Sequence, residues 1–325
     1  MRAIEITRPG GPEVLAIASL PVPLPKTNEV LIKVAAAGIN RPDILQRKGK
    51  YPAPPGASPL PGLEVAGTIA DKGGAVKDWR PGDAVVALTN GGGYAEFVAV
   101  PAGQVLPLPA GYSMIEGAAL PETLFTIQQT LLDRAQLQSG QNVLVHGGAG
   151  GIGAAALQLA RLKGAIPFAT VSTRAKADYA ITMGARTGIL YPEEDFVGAI
   201  KELTNGRGAD IIVDIVGGDY LGRNLSALAS DGTIIQLALL GGAKAQINLA
   251  SLLVKSATLF GSTLRAQPEG VKATIASHLR EQVWPAIASA KFIKPRIRTF
   301  ALADASRAHA AMDEPEHFGK IVLCT

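Results

Sequence analysis

Up to about Pro109 the chain alternates short apolar, β-branched runs with glycine and proline punctuation. The runs at 1–6, 15–19, 29–37, 65–70, 84–87 and 94–100 read as strands. Gly10-Gly11-Pro12 and Pro81-Gly82-Asp83 are turns, and Pro21, Pro23 and Pro25 stiffen an extended link. Arg41-Pro42-Asp43 opens a short helix, with proline in its first turn. The loop carrying Pro52, Pro54, Pro55, Pro59 and Pro61 is too rigid for regular structure. Many short strands between such turns predict an irregular β-barrel-like domain.

Beyond Pro109 the period changes. Helical spacing covers 114–132, interrupted at Pro121. Strands at 143–146, 166–171, 188–190, 211–216, 233–239 and 258–264 then alternate with helices at 154–162, 175–183, 196–203, 221–228 and 249–254. Six strands joined by crossover helices predict a doubly wound parallel sheet, so the fold class is α/β. A long helix over 271–290 precedes a strand, a helix and a strand at 297–300, 304–312 and 320–323. The expected division is 1–122 for the β domain, 123–290 for the parallel-sheet domain, and 291–325 for a return to the first.

The first strand of that sheet runs into His146-Gly147-Gly148-Ala149-Gly150-Gly151-Ile152-Gly153. Gly148, Gly150 and Gly153 have the G-x-G-x-x-G spacing of a dinucleotide-binding turn, set between a strand and a helix as that motif requires. Such a turn lets backbone approach a pyrophosphate, and the helix N-terminus offers N–H groups to it. NAD sites usually carry an acid at the end of the second strand for the ribose 2′-hydroxyl. Here Ser172, Thr173, Arg174, Ala175 and Lys176 occupy that place, with no acid before Asp178. A hydroxyl and two cations suit a 2′-phosphate, so the expected cofactor is NADPH, with Lys176 favoured over Arg174. The plainer reading leaves both cations as a solvated first helical turn.

Composition narrows the class. A 325-residue chain with 47% hydrophobic residues, 37 Gly and 22 Pro is that of a loop-rich globular enzyme. No apolar run reaches about 18 residues, so no membrane span is expected. The N-terminus reads as a strand without the apolar core of a signal peptide. One cysteine, Cys324, cannot form an internal disulfide; with no leader it points to a reducing, cytoplasmic compartment. A net charge of +4 with no basic run argues against nucleic acid as the main ligand.

Several stretches together carry a resemblance. They are Pro9-Gly10-Gly11-Pro12-Glu13, Asn40-Arg41-Pro42-Asp43-Ile44-Leu45-Gln46-Arg47-Lys48-Gly49-Lys50-Tyr51 and Pro61-Gly62-Leu63-Glu64-Val65-Ala66-Gly67. The glycine turn, Phe260-Gly261-Ser262-Thr263-Leu264-Arg265 and Gly319-Lys320-Ile321-Val322-Leu323 complete the set. The chain resembles the zinc-free medium-chain dehydrogenases/reductases, in their zeta-crystallin-like quinone oxidoreductase branch, and within it the p53-inducible type. The resemblance implies a Rossmann domain plus a GroES-like domain. It also implies that Ala149, Gly150, Gly151 and Ile152 meet the pyrophosphate, and that Ser172, Lys176 and Tyr191 meet the 2′-phosphate end. By the same resemblance Gly217, Leu239, Leu240 and Leu264 surround the nicotinamide and its ribose, with Thr126, Phe318 and Lys320 as further cofactor contacts. Asn40 and Tyr51 would line the cleft where the acceptor stacks. For Tyr191 a buried strand-end tyrosine is the equal alternative, and for Asn40 a helix cap.

Metal-dependent members of this superfamily look to a cysteine where this chain has Asn40 and to a histidine where it has Leu63. His146, His278, His309 and His317 are scattered without zinc-like spacing, so no metal is expected. His146 reads as a satisfied core histidine; His309 and His317 read as surface residues. Without a Lewis acid or a proton relay, the acceptor should be electrophilic already: a quinone, or alternatively an enone or alkenal. A non-enzymatic, structural or RNA-binding role is the distant alternative that the resemblance leaves. The resemblance implies a homodimer, paired through 257–262, which lacks the lysines and prolines that guard a free strand edge.

Overall fold

The structure, a computed structural model, describes residues 1–325. The strands, in chain order, are β1 (Arg2–Ile6), β2 (Leu15–Ser19), β3 (Glu29–Ile39), β4 (Glu64–Lys72), β5 (Ala84–Leu88), β6 (Phe97–Pro101) and β7 (Val105–Pro107). They continue as β8 (Asn142–His146), β9 (Ile166–Val171), β10 (Thr187–Leu190), β11 (Ala209–Asp214), β12 (Leu228–Gln236) and β13 (Thr258–Gly261). Two more, β14 (Ile297–Ala301) and β15 (Lys320–Cys324), close the chain. Two compact units result.

One unit comprises residues 1–125, 265–290 and 294–325. Its main sheet runs β14-β15-β3-β4-β5-β7, with β6 also paired to β3. Strand β3 carries this arrangement because its eleven residues serve three partners. Residues 29–33 pair with β6, 36–39 with β15, and 30–37 with β4. Register shifts at Leu31/Ile32 and Val34/Ala36 bend β3 and wrap the sheet around its core. That core holds Val30, Ile32, Val34, Val65, Ile69, Val85, Tyr94, Ile321 and Leu323. Helix Ala305–Ala311 contributes Ala305, Ala308 and Ala311 to it.

The other unit, 126–264 with 291–293, is a six-stranded parallel sheet in the order β10-β9-β8-β11-β12-β13. Strand order reverses between β8 and β11, the switch point at which doubly wound sheets bind ligands. Leu144, Phe168, Ile189, Ile212 and Ile234 from the strands pack with Phe196, Ile200 and Leu225 from the helices.

Two expectations change. The long helix over 271–290 is two helices, Glu269–Gln282 and Trp284–Ala288. Pro285 lacks the N–H that a continuous helix would need. The stretch 265–290, expected in the parallel-sheet domain, packs with the first unit instead. Polar anchors hold it there: Lys272 Nζ donates to Asn90 Oδ1 (2.6 Å), Arg265 Nη1 to Gln46 Oε1 (2.8 Å) and Trp284 Nε1 to the Pro107 carbonyl (2.9 Å). Residues 123–125 likewise belong to the first unit.

Candidate active site

In the parallel-sheet unit, β8 ends at His146 and the glycine turn follows. A Cβ on Gly148 would lie 2.4 Å from that of Ala169, and one on Gly153 would lie 2.3 Å from the Gly147 carbonyl oxygen. Packing inside the protein therefore requires both glycines. Gly150 is different: a Cβ there would meet nothing closer than 3.6 Å. It is the N-cap of helix Gly151–Leu162, which begins three residues earlier than expected, and no side chain caps it. The first-turn N–H groups of Gly151, Ile152 and Gly153 have no partner within the helix, and a helix N-terminus of this kind can receive an anion. Ala149 is buried within the turn.

A buried polar chain positions this turn. His146 is fully buried, with Nδ1 2.9 Å from Thr170 Oγ1 and Nε2 2.7 Å from Asn224 Oδ1. Asn224 Nδ2 donates to Asp214 Oδ2 (2.9 Å), so its oxygen must accept from His146 Nε2–H, and the Thr170 hydroxyl donates to Nδ1. Burial pushes the imidazole pKa down and keeps it neutral. The Thr170 carbonyl accepts from Gly147 and Gly148, while Asp214 Oδ1 accepts from Val216 and Gly217. His146 is the satisfied core histidine expected, and it also joins the turn after β8 to the turn after β11.

Next to β9, Lys176 Nζ donates to Ser172 Oγ (3.2 Å), and Thr173 caps the helix Arg174–Thr182. Tyr191 follows β10 on the neighbouring strand, where its N–H bonds the Val171 carbonyl, and is 44% exposed. Tyr191 is therefore not the buried strand-end tyrosine that was the alternative expectation. Gly217 adopts φ +68° and forms a bridge with Gly242, with Leu239 against it. Leu239 and Leu240 are exposed, whereas Leu264 and Thr126 are buried.

In the first unit, Asn40 ends β3 and opens helix Arg41–Arg47. Its Nδ2 donates to Glu64 Oε1 (2.8 Å) and its Oδ1 accepts from Lys320 Nζ (2.7 Å). Lys320 also pairs with Glu64 Oε1, and both are buried. Glu64 Oε2 accepts the Glu122 N–H (2.9 Å). The Asn40 side chain is thus committed to this cluster; Asp43 supplies the capping contact, accepting the Asn40 N–H at Oδ2 (2.8 Å). Lys320, expected as a cofactor contact, has its ammonium engaged by Glu64 and Asn40. Phe318 is half-buried, with the Arg296 guanidinium 4.4 Å from its ring. The Tyr51 ring lies 5.7 Å from the Arg265 guanidinium.

Behind Asn40 lies a second buried chain. Asp43 Oδ1 accepts the Gly62 N–H, and Oδ2 accepts the Tyr94 hydroxyl. His309 sits 3.1 Å from Tyr94 through Nε2 and 3.3 Å from Arg47 through Nδ1. Arginine can only donate, so Nδ1 accepts, Nε2–H donates to the Tyr94 oxygen, and the Tyr94 O–H donates to Asp43. His309 was expected at the surface and is fully buried, because its helix turns this face onto the β core. His317 is half-buried. Burial, with Arg47 adjacent, lowers the His309 pKa to about 3, and burial raises that of Asp43 to about 6.

Sequence reasoning missed Asp43, Tyr94, Glu122 and His309 as parts of the site. Asp43 and Glu122 look like ordinary acids in a first helical turn, which is what the helix dipole favours. A charge at Glu64, leading a buried β-branched strand, was the one readable signal.

The fold and this geometry define a dinucleotide-binding reductase with a separate β domain and no ligand set for zinc. The donors at Asn40 do not fit that metal: an amide, the buried Leu63, and a carboxylate already held by an ammonium. No group of three or more His, Cys, Asp or Glu elsewhere could hold a metal ion. Residues 26–110 match the alcohol dehydrogenase GroES-like domain, and residues 151–279 match the domain described as zinc-binding dehydrogenase. The chain is 34% identical to the quinone oxidoreductase of Homo sapiens over 266 residues, 81% of this chain and 80% of that one. A probable quinone oxidoreductase of Schizosaccharomyces pombe is 32% identical over 98% of this chain and 96% of its own. The Escherichia coli quinone oxidoreductase solved in complex with NADPH superposes with a TM-score of 0.87 at 31% identity, over all of both chains. The chain belongs to the medium-chain dehydrogenase/reductase family, in its zeta-crystallin-like quinone oxidoreductase branch.

Removing one partner of a buried ion pair strands the other charge. Lys320→Met is expected to lower stability by about 3–5 kcal/mol in urea denaturation. The double variant Lys320→Met/Glu64→Gln should recover much of that loss; no recovery would separate the two residues. His309 resists protonation in the folded state from its ordinary 6.5 down to about 3. The unfolded chain takes up that proton first, so this contribution is complete above about pH 6.5 and is lost as pH falls toward 3. The stability advantage of wild type over His309→Gln should therefore shrink between pH 7 and pH 4.5; a constant gap would contradict it.

Proposed function

We propose that this protein is an NADPH-dependent, metal-independent reductase of quinones. The observation that carries the reading is the pair of features at the ends of β8 and β9. One is an uncapped helix start cleared at Gly150; the other is the Ser172–Lys176 hydrogen bond, in a stretch whose sequence carries no acid between Val171 and Asp178. Gly150, Gly151 and Ile152 would hold the pyrophosphate, and Ser172 and Lys176 the 2′-phosphate, with Tyr191 exposed beside them. A charge-assisted hydrogen bond to the phosphate is worth about 1.5–3 kcal/mol, enough to select the phosphorylated coenzyme. Gly217, Leu239, Leu240, Leu264 and Thr126 complete the coenzyme's surroundings, and Asn40 and Tyr51 line the acceptor's place.

When bound, NADPH supplies a hydride. The chain's own residues then orient a flat acceptor and hold charge. Asn40 is fixed by Glu64 and Lys320, so little reorganisation accompanies binding. With no Lewis acid in the donor set, an acceptor already electron-poor fits best.

No helix of the structure is long and apolar enough to cross a membrane; a cytoplasmic location and a homodimer are part of this reading. The outer side of β13 has no strand partner. Leu259 on β13 and Leu249, Leu253 and Val254 on the helix that precedes it in the chain are exposed, apolar surface that a second copy would cover. Gel filtration with light scattering should give a dimer, and a monomer at micromolar concentration would remove that part.

Steady-state rates with a small quinone and with an α,β-unsaturated aldehyde, using NADPH and NADH, test the rest. Quinone reduction should exceed aldehyde reduction; the reverse order makes the protein an enone reductase on the same scaffold. Lys176→Ala should raise the KM for NADPH about tenfold or more and leave that for NADH nearly unchanged. Equal effects on both coenzymes would discard the phosphate role.

A further inference from the structure

Two carboxyls stand side by side in the first unit with opposite surroundings. Glu64 accepts from three donors: Asn40 Nδ2, Lys320 Nζ and the Glu122 N–H. Glu122, pinned to Glu64 by its own backbone, receives no hydrogen bond on its carboxyl. It is only 9% exposed. Burial without hydrogen bonds to the charged form favours the neutral carboxylic acid at Glu122.

The groups facing Glu122 come from every neighbouring element. Glu64 on β4 and Asp43 on helix Arg41–Arg47 oppose its ionisation, while Lys320 on β15 and Lys272 on helix Glu269–Gln282 favour it. Tyr51 and Arg265 also lie within its field. Burial and Glu64 prevail, and the carboxyl pKa rises to about 8.

We infer that Glu122 is the acid that delivers a proton to the acceptor's carbonyl oxygen as the acceptor is reduced. The inference rests on the reductase reading above. Bound NADPH would supply the hydride, hence both electrons. The Glu122 O–H bond breaks, a new O–H bond forms on the acceptor oxygen, and the carboxylate left behind takes a proton from water. Quinone, hydride and proton sum to the hydroquinone. Glu122 shares its surroundings with Asn40 and Tyr51, so the reducible carbonyl would meet a proton source where these two hold the ring.

The test compares wild type with Glu122→Gln, which has the shape and neutrality of the protonated acid. Wild-type kcat for quinone reduction should fall above about pH 8, because the neutral acid is required. In Glu122→Gln it should be about a hundredfold lower and level across that range. The Kd for NADPH, read by fluorescence, should stay within about twofold. The infrared band of a protonated carboxyl, recorded without coenzyme, should be present at pH 7, disappear through about pH 8, and be missing from the variant. A variant with wild-type kcat and the same alkaline limb overturns the assignment alone, as does a wild-type spectrum without that band. A wild type that oxidises NADPH with neither quinone nor enone overturns the reductase reading and this assignment with it.

Discussion

In the β domain three distant segments meet at one oxygen atom. Glu64 Oε1 takes both the Asn40 amide and the Lys320 ammonium, and the three residues come from the end of β3, the start of β4 and the start of β15. A buried carboxylate costs several kcal/mol to desolvate, and an ammonium costs a similar amount; only their mutual attraction and further hydrogen bonds offset this. The sequence separations are large, so the pair forms only when the last strand has joined the first sheet. The C-terminal return of the chain is thereby written into the site, as well as into the sheet order. Replacement by apolar residues would relieve the desolvation cost and abandon the fixed position of Asn40.

The two buried polar chains obey the same rule in separate units. Each contains a neutral histidine whose tautomer follows from a neighbour with no choice. Arg47 can only donate to His309, and Asn224 must turn its oxygen to His146 because its nitrogen serves Asp214. Each chain ends on backbone N–H groups of the loops that the functional reading uses: Gly62 and Asn40 in one, Gly147, Gly148 and Gly217 in the other. Tight-turn glycines set the shape of these loops locally. The polar chains fix where the shape sits.

Legibility in the sequence followed the range of the interaction. The six strands and their crossovers were readable because period and turn chemistry are local, and the glycine turn was readable because its spacing is. Errors of boundary, such as the helix start at Gly151 or the split at Pro285, are local competitions that a three-residue shift resolves. Lys320 was readable as belonging to the site through resemblance alone, and its pairing with Glu64 and Asn40 was not readable, because these partners lie 256 and 280 positions away. His309 was misjudged for the same reason. An alternation of alanines with a single histidine on a short helix carries too little periodicity to say which face is covered. The stretch 265–290 gave a related error: its first-unit anchors, Gln46, Asn90 and Pro107, are distant in sequence.

Glycine supplies the sharpest separation between structural and ligand-directed demands. Gly148 and Gly153 are explained by clashes at 2.4 and 2.3 Å inside the protein, whatever the turn binds. A motif match at those two positions therefore speaks for close helix–strand packing and is silent about a ligand. Gly150 has no such internal reason, and its φ of −81° is open to any residue. Glycine is also a favoured N-cap residue, and here it leaves the helix end open to close approach from outside. A binding claim made from three glycines thus rests, physically, on one.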